Sequence, residues 1–249
     1  MRTQFIGVEI QDNIGMITLN NPQTLNAVNE TMLSELASQI TEFEQNNKVK
    51  VIILKGLEQS FAAGLDIKYL AANYSRTSSI MQNMQQQFDI IAHAKKPIIS
   101  VVSGFALGIG CELVLISDIV LATENAQFSF PELSLGLLPC FGGCHLLASR
   151  IGVSKAMDVI LSGRALNAEE AEKAGIVSRI VDASAIEEEY IKLARRLSAL
   201  PQRAVLTAKQ LILSATSSQN HLSETLLSLS RLESADFKNS LLKFVPKKA

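Results

Sequence analysis

The order of apolar and polar residues predicts strands and helices that alternate along most of the chain. Two short apolar runs in FIGVEIQDNIGMITLNNP flank Asp12–Asn13 and predict a β-hairpin that ends before Pro22. Apolar residues then recur at helical spacing as far as Phe43, and Asn29 is suited to cap the start of that helix. The chain is therefore expected to open with a hairpin followed by a helix.

The central part of the chain continues this alternation. KVKVIILKG and PIISVVSG predict buried strands, with a helix from Met81 to Ala94 between them. We expect QSFAAGLDIKYL to be a loop that runs into a helix. The stretch SGFALGIGCELVLISDIV predicts a loop, then a helix from near Gly108 through Ile116, and then the start of a strand in SDIVLAT.

Helices dominate the remainder of the pattern. PELSLGLLPCFGGCHLLASRIG is a connector, punctuated by proline and glycine, that turns into a helix. SKAMDVILSG and NAEEAEKAG predict two more helices, and the second begins after Asn167 and ends at Gly175. IVSRIV is the last predicted strand, and the pattern is helical from Ala185 onward apart from a break at Pro201. The pattern as a whole therefore predicts an α/β core followed by a helical segment.

Composition and charge narrow the classes of function. The 249 residues include 23 Lys and Arg against 24 Asp and Glu, for a net charge of -1. A general nucleic-acid binder needs a basic face to displace counterions, so this balance argues against nucleic acid as a partner. The three cysteines form no CxxC pair, which argues against a zinc site or a disulfide scaffold, and no metal is expected.

The apolar runs do not suit a membrane protein. The longest uncharged apolar run extends from Pro97 to Cys111 and is bracketed by charged residues, so it is too short to span a bilayer. Because the first residues enter a strand pattern at once, we expect neither a signal peptide nor a transit peptide. The resulting expectation is a cytoplasmic protein without a membrane partner.

Glu112 is an isolated carboxylate in an apolar run that follows three glycines, in SGFALGIGCELVLISDIV. The first N–H groups of a helix that begins near Gly108 have no partner within it, and small residues let a ligand approach them. Such groups can hold a developing oxyanion beside Glu112. Equally, the segment can be a closely packed helix start with Glu112 as a favourable charge. A dinucleotide site fits less well, because GIGCEL lacks the third glycine of GxGxxG.

Two further segments carry chemical signals. In FAAGLDIKYL, small residues precede a helix start at Asp66, so the N–H of Leu65 is a second candidate donor, although an ordinary N-cap by Asp66 explains the segment more simply. Glu132 lies among the apolar residues of FSFPELSLGLLP, where burial would raise the pKa of its carboxyl group and suit it to general acid catalysis. The alternative for Glu132 is a solvated position in a loop.

Together, these segments resemble the enoyl-CoA hydratase/isomerase (crotonase) family. LNNPQTLNAVN is similar to the N-terminal signature of that family, and SFAAGLDIKYL to its first oxyanion segment. The run from KKPIISVVSG to LLPCFGG resembles the central signature almost position by position, and SGRALNAEEAEKAGIVSRIV resembles the segment that follows. The resemblance covers nearly the whole chain.

The resemblance implies an α/β fold, a crotonase-like spiral of repeated ββα units with a C-terminal α-helical segment. Residues 1–190 would form the ββα core with the coenzyme A (CoA) and catalytic site, and residues 191–249 a helical trimerisation segment. A homotrimer or a dimer of trimers is expected. Coenzyme A would be part of the acyl-CoA thioester substrate, and no separate cofactor is expected.

The resemblance also implies a catalytic site for the hydration of a trans-2-enoyl-CoA. The backbone N–H groups of Leu65 and Ile109 would hold the thioester oxygen. Ile109 stands where the family often has glycine, so its side chain must point away from the ligand. Of the two glutamates, Glu112 would activate a water molecule and Glu132 would deliver a proton to C2. Having both glutamates favours a hydratase.

Further residues are assigned to substrate binding by resemblance. These are Ala63, Gly64, Asp66, Ile67, Lys68, Gly108, Cys140, Phe244 and Lys247. Among them, Lys68 would meet a phosphate of CoA, and Phe244 and Lys247 would reach CoA in a neighbouring subunit. A frayed basic tail is the alternative for Lys247.

The sequence departs from the family at Cys140, where glycine is usual, and Phe141 follows it. Larger side chains here can displace the catalytic water or narrow the acyl pocket. Two alternatives to a hydratase therefore stay open. The first is another acyl-CoA enzyme of the family, such as a Δ3,Δ2-enoyl-CoA isomerase. The second is a non-catalytic member that binds CoA.

Overall fold

The structure, a computed structural model, describes residues 4–214 and 235–243. The strands in these ranges are β1 (Ile6–Gln11), β2 (Ile14–Leu19), β3 (Val51–Lys55), β4 (Ser60–Ala62), β5 (Ile98–Val102), β6 (Phe105–Leu107), β7 (Ile119–Ala122), β8 (Gln127–Ser129), β9 (Leu166–Asn167) and β10 (Arg179–Ile180). The α-helices are α1 (Glu30–Gln45), α2 (Ile67–Ala72), α3 (Thr77–Ala92), α4 (Ile109–Leu115), α5 (Gly143–Ile151), α6 (Val153–Ser162), α7 (Ala168–Ala174), α8 (Ile186–Ser198), α9 (Gln202–Ser214) and α10 (Ala235–Leu242).

The strands form two sheets, and the chain passes from one to the other repeatedly. A six-stranded sheet has the order β1-β2-β3-β5-β7-β10 and is parallel except for the β1–β2 hairpin. A four-stranded sheet has the order β4-β6-β8-β9 and is parallel except for β8–β9. The successions β3–β4–α2 and β5–β6–α4 each place one strand in each sheet before a helix. This is the expected ββα unit.

The longer elements agree with the sequence-based predictions. Asp12 and Asn13 have φ of 52° and 65°, the left-handed turn that joins β1 to β2. Asn29 caps α1, because its side chain accepts a hydrogen bond of 2.9 Å from the N–H of Met32. The prediction of loops was wrong for β4 and β6. Each has only three residues, which is too short for an alternating pattern to show.

The six-stranded sheet is buried on both faces. Along β3, Ile52 and Leu54 contribute to the main core, which contains α1, α3 and α4. The alternate residues Val51 and Ile53 join a second core with Tyr190 of α8. Side chains alternate across a strand, so a sheet covered on both faces requires the continuous apolar run that the sequence has here.

The C-terminal helices contact the core at separate places. Helix α8 crosses the expected boundary between residues 190 and 191, and the division into 1–190 and 191–249 stays a prediction. Lys209 of α9 forms a 2.7 Å ion pair with Asp118, which precedes β7. Helix α10 packs against α2 and against a 3-10 turn at Pro131–Leu135. Phe244 and Lys247 lie outside the described residues.

Asn26 connects the hairpin to the second sheet. Its buried side chain donates from Nδ2 to the carbonyl oxygens of Leu19, Ser60 and Phe61, each at 3.1 Å, and accepts from the N–H of Asn21 at 2.7 Å. Its φ of 59° lies in the left-handed region, which asparagine tolerates better than most residues. The side chain therefore fixes the end of β2 against β4.

Replacing Asn26 by alanine is expected to lower the free energy of unfolding by about 2 kcal/mol more than Asn13→Ala does. Both residues have left-handed backbone conformations, but Asn13 is exposed in the hairpin turn, so the difference isolates the buried hydrogen bonds. Urea denaturation of both variants measures it. Equal losses in the two variants would contradict the role of the Asn26 side chain.

Candidate active site

The start of α4 lies directly against Glu132. Gly108 precedes the helix with φ 50° and ψ −117° and provides no side-chain cap. Its N–H donates to Ser129 O at 2.9 Å, which ties the helix start to β8. A Cβ at Gly108 would collide with Glu132 Oε1. Only glycine satisfies both the positive φ and the close carboxylate.

Gly110 allows a second close approach. A Cβ at Gly110 would lie 2.5 Å from Ala62 O, so the first turn of α4 packs on the end of β4. We expected the glycines to let a ligand approach the backbone. That expectation stays a prediction, and the protein atoms nearest to the missing Cβ positions are Glu132 Oε1 at Gly108 and Ala62 O at Gly110. The glycines thus bring together the segments that carry the candidate groups.

The two candidate oxyanion donors differ in how they are placed. Val28 N donates to Gly64 O at 2.7 Å, and Asp66 N donates to Val28 O at 3.0 Å. Because N–H groups of successive extended residues point to opposite sides, the Leu65 N–H points away from Val28. The Ile109 N–H belongs to the first, uncapped turn of α4, and its side chain is buried in the core.

Glu112 is completely buried, with 0% of its surface exposed. Its Oε1 accepts hydrogen bonds from Phe141 N at 2.8 Å and Gly143 N at 2.9 Å. Two N–H donors stabilise negative charge on that oxygen. The sequence analysis missed both donors, because a backbone N–H has no residue signature. The only available signal was the pair of small residues in GG.

Helix α5 contacts α4 at its middle and at its C-terminal end. Its N-terminal region supplies the Gly143 N–H to Glu112, as described above. At the other end of α5, Arg150 donates from Nη2 to Leu115 O at 2.7 Å and to Ser117 O at 3.0 Å. Leu115 ends α4 and Ser117 lies two residues beyond it, where helix carbonyls lack internal partners. The orientation of α4, and with it the position of Glu112, is fixed from both sides.

Glu132 lies in the 3-10 turn at Pro131–Leu135 and is 7% exposed, so it is buried and not solvated. Burial raises the pKa of its carboxyl group to about 7, against a smaller lowering by its own backbone N–H. Within the described part of the chain, Glu132 Oε2 has no hydrogen-bond partner. Glu132 can therefore exchange a proton near neutral pH, as general acid or base catalysis requires.

Cys111 connects α4 to the four-stranded sheet. Its Sγ donates to Ala106 O at 2.7 Å and reaches Ser129 O at 3.5 Å, which joins α4 to β6 and β8. Burial raises the pKa of the Cys111 thiol well above its usual value, with a further contribution from the charge of Glu132. The thiol thus stays protonated and acts as a hydrogen-bond donor.

Five of the residues assigned to substrate binding lie in the segment 63–68, which joins β4 to α2 and includes the first residues of α2. Ala63 N already donates to Leu25 O at 3.1 Å, so this N–H is occupied. Asp66 caps α2 by accepting from Tyr69 N at 2.9 Å, as the simpler interpretation predicted. Ile67 is partly buried, while Lys68 is exposed and able to reach an anion in solvent.

Cys140 and Phe141 are both buried. Cys140 Sγ donates to Leu138 O at 3.0 Å, and the side chain contributes to the main core. Phe141 stacks on Phe88 with 5.3 Å between ring centroids.

In residues 4–214 and 235–243, no group of three or more His, Cys, Asp or Glu is placed to hold a metal ion. No helix in the same ranges has the length and apolar character needed to cross a membrane.

Comparison with known proteins places this geometry in a family. The family model for enoyl-CoA hydratase/isomerase matches residues 9–249. The chain belongs to this family. It is 38% identical over 244 residues to a "Probable enoyl-CoA hydratase" of Rhizobium meliloti (strain 1021), an alignment that covers 97% of this chain and 95% of that protein.

Other members of the enoyl-CoA hydratase/isomerase family are similar over nearly the same length. "Enoyl-CoA hydratase, mitochondrial" of Pongo abelii is 34% identical over 240 residues, with 95% of this chain and 82% of that protein covered. The crystal structure of an enoyl-CoA hydratase subunit from Geobacillus kaustophilus HTA426 is similar with a TM-score of 0.82 and 33% identity, covering 97% and 95% of the two chains. The expected crotonase-like fold is thereby confirmed.

The raised pKa of Glu132 predicts a pH-dependent stability. The folded protein binds a proton at Glu132 up to about pH 7, whereas an exposed glutamate in the unfolded chain releases it near pH 4.3. The contribution of protonated Glu132 to the free energy of unfolding is therefore fully present below the pKa of the unfolded chain. It is lost as pH rises through about 7. Relative to Glu132→Gln, the wild type should lose about 3 to 4 kcal/mol of stability across this window.

Urea denaturation at several pH values measures this difference. Glu124→Gln, at an exposed glutamate in the turn between β7 and β8, is the matched control and should run parallel to the wild type. Parallel curves for Glu132→Gln and the wild type would contradict a desolvated carboxyl group at this position.

Proposed function

We propose that this protein is an enoyl-CoA hydratase, a hydro-lyase that adds water across the C2=C3 bond of a trans-2-enoyl-CoA. The observation that carries the proposal is the presence of two buried carboxyl groups beside the uncapped start of α4. Glu112 is held by two N–H donors, and Glu132 has a pKa of about 7 and lies against Gly108. A hydratase needs one group to activate water and another to protonate C2.

In this mechanism the thioester oxygen is held by the N–H groups of Leu65 and Ile109. Glu112 accepts a proton from water as the oxygen of that water bonds to C3, and the C2=C3 electrons move toward the thioester. Glu132 then gives its proton to C2, which restores the thioester carbonyl. Afterwards Glu112 carries the proton from water and Glu132 is ionised, so one proton must pass between them before the next turnover. N–H donors aimed at the developing oxyanion are worth several kcal/mol in such reactions.

The substrate supplies coenzyme A, and the reaction needs no separate cofactor. The relatives named as enoyl-CoA hydratases support an acyl-CoA thioester as the substrate class. The exposed Lys68 and the nearby α2 would contact CoA, as would Gly64 and Ile67. A homotrimer or dimer of trimers, and a cytoplasmic location, stay predictions.

A second candidate is a Δ3,Δ2-enoyl-CoA isomerase, and one observation favours it. Glu132 is desolvated with a pKa of about 7, so it could by itself remove a proton from one carbon and return it to another. Isomerisation would leave Glu112 without a chemical role. The burial of Glu112 with two N–H donors supports the hydratase instead.

Mutation of the two glutamates tests the proposal. Loss of the conjugated-thioester absorbance is measured with trans-2-enoyl-CoA substrates for the wild type, Glu112→Gln and Glu132→Gln. We expect hydration by the wild type and a decrease of about a hundredfold or more in each variant, because each glutamate moves a proton. The control Glu124→Gln should retain the wild-type rate.

Three other outcomes would contradict this mechanism in different ways. Full hydration by Glu112→Gln would remove that residue from the reaction. Double-bond migration from a 3-enoyl-CoA without hydration would establish the isomerase. Binding of CoA without turnover of any enoyl thioester would indicate a non-catalytic family member.

A further inference from the structure

Phe141 contacts the Glu112 carboxylate through its backbone and forms a stacked aromatic pair with Phe88 through its ring. Its backbone N–H donates to Glu112 Oε1 at 2.8 Å, so the residue that carries this ring is in direct contact with the carboxylate. The side chain is 3% exposed and contributes to the main core. Any acyl group that reacts beside Glu112 must therefore extend past this residue or turn away from it.

The ring of Phe141 is held by helix α3. Phe88 stacks on it with a centroid distance of 5.3 Å and an interplanar angle of 24°. Phe88 and Met84 are buried on the face of α3 that packs against α1. An offset-stacked aromatic pair within a close-packed core resists displacement, so the rings of Phe88 and Phe141 hold each other in place.

Gly143, the second N–H donor to Glu112, lies in closely packed surroundings. A Cβ on Gly143 would lie 2.8 Å from Glu112 Oε1, 2.7 Å from Pro139 Cβ and 3.0 Å from the ring of Phe130. A side chain at position 143 would therefore have no room, because Glu112, Pro139 and Phe130 all approach this point of the backbone.

We infer that the Phe88–Phe141 pair determines acyl-chain specificity and restricts the substrate to short acyl groups such as crotonyl. The inference rests on the proposed function, since it places the acyl group beside Glu112. Phe141 is a specificity-determining residue in addition to positioning Glu112 through its N–H. Removal of the ring would open the space that α3 now closes, and longer acyl chains would gain buried contacts there.

Two measurements test this inference. The ratio of kcat/KM for trans-2-decenoyl-CoA over crotonyl-CoA is compared among the wild type, Phe141→Ala, Phe141→Leu and Phe88→Leu. Dissociation constants for the unreactive butyryl-CoA and decanoyl-CoA are measured by calorimetry. We expect a low ratio in the wild type and an increase of about tenfold or more in Phe141→Ala, because each methylene that becomes buried contributes about fourfold.

Phe141→Leu and Phe88→Leu should shift the ratio in the same direction by less, and they keep the test valid if Phe141→Ala does not fold. Phe43→Leu is the matched control. Phe43 is a buried phenylalanine on α1 that packs against Gly15 of the hairpin, so this variant loses the same atoms without altering the ratio. A general loss of packing would affect all the leucine variants alike.

The outcomes separate this inference from the proposed function. Equal binding of decanoyl-CoA and butyryl-CoA by the wild type would overturn the inference, as would an unchanged ratio in folded Phe141→Leu and Phe88→Leu. If no enoyl-CoA is hydrated but saturated acyl-CoAs still bind with the expected length dependence, the hydratase proposal fails and the inference stands. If no acyl-CoA binds, both fail.

Discussion

The burial of the Glu112 carboxylate is the constraint on which the rest of the site depends. A charged group removed from water is unfavourable unless hydrogen bonds compensate, and Phe141 N and Gly143 N provide two of them. These donors lie 29 and 31 residues further along the chain. The loop before α5 must therefore return to α4 with a defined conformation, and Arg150 secures the far end of the same helix pair.

The ββα path of the chain brings the other groups to the same place. The strands β4, β6 and β8 of the small sheet each follow a strand of the large sheet and lie side by side, and the segments after them meet at the start of α4. Leu65, Gly108 and Glu132 each follow one of these three strands. Parallel neighbours place the ends of successive strands at one edge, which is where α/β proteins commonly bind ligands.

The two glutamates differ because their surroundings differ. Backbone N–H donors stabilise charge on Glu112, whereas desolvation favours the protonated form of Glu132. In the proposed hydration, this difference in surroundings would suit one carboxyl group to act as base and the other as acid. Phe141, whose N–H holds Glu112, also carries the ring that stacks on Phe88.

The sequence by itself determined the longer elements, the glutamates and the family. Asn29 at the start of α1, the hairpin turn at Asp12 and Asn13, and the continuous apolar strands are local signals, so they could be identified without a structure. The tertiary structure alone decided which backbone N–H groups meet Glu112, why Gly108 and Gly110 lack side chains, and where the ring of Phe141 lies. These features arise from contacts between segments far apart in the chain, and backbone donors carry no residue-specific signal.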